Sequence, residues 1–167
     1  MNPLELPWLE LSIVVALAGS ILVRTVRDPF AASRWGIALT GTAFACAFLA
    51  WLAFELGVPS GTGRWDVQTP TLGGRTFALD ELSAPLVPAV ALIHFLTAVT
   101  TSRTRMRYFS ISWSLASEAI RLAMFSCGAS WVLVALTVIC TVPPYFELRN
   151  LGRPRRVYVA HMTLFGA

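Results

Sequence analysis

The chain reads as an all-α integral membrane protein. Its fold class is five transmembrane helices plus the start of a sixth, with a small extracytoplasmic β-hairpin between helices two and three. Two observations carry that reading. Hydrophobic residues make up 56% of the chain and charged residues 13%, against about a quarter charged in soluble domains. The apolar residues also fall into five stretches, each near the roughly 20 residues that a bilayer core requires.

The first span covers residues 6–23, followed by Arg24, Arg27 and Arg34. Glu5 and Glu10 occupy the place where a signal peptide carries positive charge, so this segment reads as a retained helix. The second span covers 36–56, closed by Glu55 and Gly57. Residues 58–83 form a polar segment in which Gly73-Gly74 separates two β-prone runs, a hairpin signal. The third span, 84–101, leads into Arg103, Arg105 and Arg107. The fourth, 108–127, follows at once, and the fifth covers 129–146. After the basic turn ELRNLGRPRR, residues 157–167 are apolar. As helix they would measure about 16 Å, half of a bilayer core of about 30 Å. The whole of 1–167 reads as one helical bundle. A soluble bundle would carry charge along one face of its outer helices, whereas these stretches are apolar nearly all round.

All 13 basic residues are arginine. Three follow span one, three follow span three and four follow span five, against two in the segment between spans two and three. The positive-inside rule therefore puts the N-terminus outside a cytoplasmic membrane, which the chain crosses several times. The arginines cluster at span ends and form no aromatic-interleaved basic face, so no nucleic-acid partner is expected. The lipid bilayer is the expected surroundings.

Cys46, Cys127 and Cys140 lack metal-binding or redox spacing and read as packing residues. No triad, phosphate loop or nucleotide fingerprint is present, so no catalytic residue, cofactor or metal is expected. Three residues stand out as proton-path candidates: Glu118, Arg121 and His94. Glu118 and Arg121 lie mid-span three residues apart, on one helix face, where they can pair. Ionisable residues at that depth are functional candidates by default, although a snorkelling arginine with a neutralising acid is an equally simple structural pair. His94, mid-span, has the chemistry of a proton relay and also that of a hydrogen-bonded packing histidine. His161 lies in the last apolar segment, and Pro143-Pro144 ends or kinks span five, or lines a cavity.

The order of spans, the hairpin and the phrase LDELSAPL resemble the N-terminal region of the antiporter-like, proton-translocating subunits of complex I, membrane hydrogenases and multisubunit sodium/proton antiporters. Asp80, Leu82, Ser83 and Ala84 match that family's Asp-x-Leu-Ser-Ala signature, and Leu92, Ile93 and His94 match its Leu-Ile-His phrase. Residues 163–167, TLFGA, resemble the phrase early in its sixth helix. The resemblance implies a subunit that moves protons or sodium beside partner membrane subunits carrying the later helices. It also implies a fourth proton-path candidate, Thr137, which stands where the family carries a buried glutamate; a hydroxyl relays a proton but undergoes no change of charge. Two other readings stand beside it. One is a subunit of an inorganic-carbon uptake complex, from a related family with the same front region. The other is a non-transporting structural or assembly protein, favoured by the missing glutamate, the absence of lysine and the short length.

Overall fold

The computed structural model describes residues 6–56, 68–69, 74–75, 77, 79–101, 110–150, 158–160 and 162–163, with side chains of 68–69, 74–75 and 147–150 excepted. The described chain is almost entirely helical. In order it forms α1 (Trp8–Thr25), α2 (Pro29–Glu55), β1 (Gln68–Thr69), β2 (Gly74–Arg75), α3 (Ser83–Thr100), α4 (Ile111–Phe125), α5 (Ser130–Cys140) and α6 (Val142–Asn150). Three of these, α1, α2 and α3, are long and apolar enough to cross a bilayer.

Local chemistry sets the element ends. α2 begins seven residues ahead of the span expected at 36, because Asp28 caps it by accepting from the backbone N–H groups of Phe30 and Ala31, with Pro29 at the first position. Arg34 is therefore inside α2 and not in a loop. α3 begins at a reciprocal pair: Ser83 N–H donates to Asp80 Oδ1 at 2.6 Å, and Asp80 N–H donates to Ser83 Oγ at 2.9 Å. This is a capping-box geometry in which each side chain satisfies the other's backbone. The Ser83 backbone N–H is the larger cause that holds the exposed Asp80 carboxyl below the usual carboxylate range, and the Ser83 hydroxyl is the second.

The five expected spans are not all found at full length among the described residues. α4 has 15 residues, about 22 Å of helix, where 108–127 was expected. The expected fifth span is interrupted at Thr141, between the 11 residues of α5 and the 9 of α6. Pro143 and Pro144 account for the break. Neither has an N–H to continue the α5 ladder, whereas both fit the first turn of a new helix, where N–H groups lack intrahelical partners anyway. Between α2 and α3, Gln68 pairs with Arg75 and Thr69 with Gly74. Two residue pairs fall short of the self-standing hairpin that Gly73-Gly74 suggests, since even longer isolated hairpins are marginal. An isolated antiparallel bridge, Phe77 with Cys127, ties the end of this segment to the end of α4.

The packing is that of a membrane bundle. α1 packs against α2 and α4, and α2 and α4 both pack against α3. The residues turned inward are small: Ser12, Ala16, Gly19 and Ser20 on α1, and Gly36, Thr40, Ala43, Ala47 and Ala50 on α2, spaced three or four apart. The residues turned outward are large and apolar, with Ile21 65%, Ile93 62% and Val14 57% exposed. A soluble bundle has the opposite arrangement. Without a hydrophobic drive between helices, lipid-embedded bundles associate through close backbone approach at small residues. Together with the three long apolar helices, this arrangement makes the chain an all-α membrane protein.

Candidate functional site: a buried carboxyl beside a His–Arg contact

The interior of the α1–α4 unit holds two apolar clusters and a buried carboxyl. In one cluster Ala16, Ala43 and Ala119 pack together. In the other Leu122 packs with Leu9, Ala47, Ala50, Val87 and Ala91. Glu118 stands on α4 next to Ala119 and one turn before Leu122. Its residue exposure is 0%, and neither carboxylate oxygen has a hydrogen-bond partner. The periodicity of α4 explains the placement, since Leu115, Glu118, Ala119 and Leu122 recur at helical spacing and share the inward face. An acid has been inserted into an apolar stripe.

Arg121, at the next turn, points elsewhere. It is exposed, and its Nη1 lies 3.3 Å from Nε2 of the buried His94 on α3. The intrahelical Glu118–Arg121 pair expected from the spacing is thus not formed. Spacing permits that pair, but it does not compete well when a neighbouring helix offers an acceptor. The arginine is instead shared between α4 and α3.

The four candidates therefore divide. Arg121 and His94 meet across α4 and α3, while Glu118 is buried on α4 with neither oxygen bonded. Thr137 stands apart on α5, a helix with no buried residue, where its hydroxyl donates to Leu133 O at 2.8 Å within its own helix. His161 and the basic segments 102–109 and 151–157 lie outside the described residues. Pro143 is buried at the α5–α6 break.

Three further features were not singled out from the sequence. The Ser112 hydroxyl donates to Ser20 O at 2.8 Å, a hydrogen bond from α4 to α1. Trp113 stacks on Phe146 with ring centroids 4.9 Å apart and planes 3° apart, fixing α6 against α4. Phe44, Phe48, Trp51, Pro85, Pro88 and Leu92 line an open apolar groove between α2 and α3. The pattern of small residues on α1 and α2 was the available signal for close helix approach. No sequence signal ties Trp113 to Phe146.

The described residues contain no group of three or more metal-ligating side chains. A carboxyl and an imidazole are groups that can take up and release a proton. No protein-family model, no curated protein and no solved structure matches the chain, so its functional reading rests on this geometry and on the residues themselves.

Proposed function

We propose that the chain is a membrane subunit of a proton- or sodium-translocating complex, resembling the front region of the antiporter-like subunits, and that Glu118, His94 and Arg121 form its ion path. The observation that carries this reading is the fully buried Glu118 without a hydrogen-bond partner. Intramembrane acids are costly and mark ion and proton routes. An acid kept only for structure would be expected to hold a partner. The signature residues Asp80, Leu82, Ser83 and Ala84, and the phrase around His94, support the same reading. In this proposal α4 and the α5–α6 segment complete five membrane crossings. The N-terminus and the segment between α2 and α3 face outward, and partner subunits supply further helices.

The test uses inverted membrane vesicles from cells expressing the chain at its native locus. Glu118→Gln, present at the parental level, should lower the proton or sodium gradient at least several-fold, and Glu118→Asp should retain part of it. An unchanged gradient with Glu118→Gln overturns the reading and leaves a structural or assembly role. Orientation is checked separately by single cysteines at Gly63 and Gly152 in a cysteine-free background. An impermeant thiol reagent added outside should modify the first and spare the second.

A further inference from the structure

Arg121 is a cation without an anion. It stands on the exposed side of α4, and among the described residues its one polar contact is the bond from Nη1 to His94 Nε2 at 3.3 Å. A guanidinium has only donors, so that imidazole nitrogen accepts, and a neutral acceptor leaves the positive charge in place. Arginine keeps that charge wherever it is placed. The described acids do not balance it. Glu118, on the same helix, is fully buried with neither oxygen bonded. Glu10, Asp28, Glu55, Asp80 and Glu81 lie in the end turns of helices or just outside them.

The depth of the guanidinium narrows what can neutralise it. α3 is 18 residues long, about 27 Å of helix, which nearly fills a hydrocarbon core of about 30 Å. His94 lies six residues before the last residue of α3, Thr100. The Arg121 head held against it is therefore about 9 Å inside the nearer end of that helix. Phospholipid phosphates sit outside the hydrocarbon core, and with Nη1 held at His94 the arginine does not snorkel toward them. A second copy of this chain is no better match, because the same face presents Arg121 again and like charges at that depth repel.

We propose that the seam between α3 and α4 is a docking face for a membrane helix of a partner subunit, and that this helix carries an aspartate or glutamate, level with His94, that pairs with Arg121. His94 is the positioning residue. By accepting from Nη1 it fixes the guanidinium and leaves the Nη2 and Nε hydrogens, a fork that takes a carboxylate in two parallel bonds, for the partner. The residues beside that fork match an apolar helix: Ile93, next to His94 on α3, is 62% exposed and Phe125, one turn after Arg121 on α4, is 41% exposed. Charges inside a membrane pair with one another across helices. Such a pair also selects the partner, because a helix without the acid would cover the cation and leave it unpaired. The inference deepens the transport reading and rests on it for the existence of partner subunits.

The test is photo-crosslinking of the full chain expressed at its native locus, with Phe125, and in a second version Ile93, replaced by benzoylphenylalanine. Illumination of the membranes should join the chain to another membrane protein through an apolar segment that contains an Asp or Glu. Arg121→Gln should lower the yield of that adduct several-fold, and Arg121→Lys should retain part of it. Arg121→Glu should abolish it, and replacing the acid in the crosslinked segment by Arg in the same cells should restore it, a rescue that a merely structural arginine would not show. An adduct to phospholipid alone, to a second copy of the chain or to a segment without an acid overturns the proposal, as does a yield indifferent to Arg121→Gln. Where a variant at Arg121 is lost from the membrane, the segment joined to the parent decides. If the charge exchange restores the adduct while the vesicle gradient is insensitive to Glu118→Gln, the transport reading fails and the docking face stands. Lost gradients with no acid-bearing adduct give the converse.

Discussion

Replacing Glu118 by methionine is expected to stabilise the protein while abolishing the proposed transport. The carboxyl is fully buried and neither oxygen is bonded, and a buried polar group in that condition costs about 1–3 kcal/mol. Methionine has nearly the same length, adapts to irregular gaps and leaves no cavity where the carboxyl stood. Removing the unpartnered group should therefore gain about 1–3 kcal/mol. Had Glu118 held Arg121 in a buried pair, the same change would cost about 3–5 kcal/mol by stranding the arginine. The two cases differ in sign. Because Arg121 is already engaged by His94, Glu118→Gln strands nothing and should be near neutral for stability. The assay is denaturant unfolding of the purified chain in micelles, followed by fluorescence of its six tryptophans. Destabilisation by Glu118→Met that is relieved when Arg121→Gln is added would refute the reasoning and restore the intrahelical pair.

Other expectations follow from the packing and the caps. A Cβ placed on Gly36 would overlap Ile111 Cγ2, the branch methyl of a stiff side chain. Gly36→Ala should therefore cost about 1–3 kcal/mol, and Ile111→Leu, which removes that methyl, should recover part of it in a double-variant unfolding cycle; strict additivity would count against the contact. Gly41→Ala should cost less, since its Cβ would meet the edge of the Phe95 ring at 3.2 Å, a contact that a small tilt relieves. The Asp80–Ser83 capping pair makes a pH prediction. Its carboxyl is depressed in the folded state, so its contribution is present above the unfolded value of about 3.9 and is lost as pH falls through the lower folded value. Asp80→Ala should weaken the start of α3 near neutral pH and remove that acid dependence, read as amide exchange of the Ser83 N–H; identical exchange in variant and parent would argue against the cap.

The sequence by itself determined the class of this protein and most of its inventory. Apolar stretches of bilayer length, arginines confined mostly to span ends, and the mid-span positions of His94, Glu118 and Arg121 are properties of composition and spacing, visible without a fold. The start of α2 was legible too, in Asp28-Pro29, but the hydropathy of residues 36–56 outweighed a capping signal that involves two residues. The break at Thr141 was written in Pro143-Pro144, although hydropathy alone merged α5 with α6. Only the tertiary structure decided which ionisable groups meet. A three-residue spacing says that Glu118 and Arg121 share a helix face, yet a side chain as long as arginine selects among acceptors on every neighbouring helix, and here it selects His94. Thr137 likewise carries no mark in the sequence to show that its hydroxyl serves only its own helix. Partner choice depends on how α3 and α4 face each other, and that is set by small-residue contacts spread across four helices, not by any local motif.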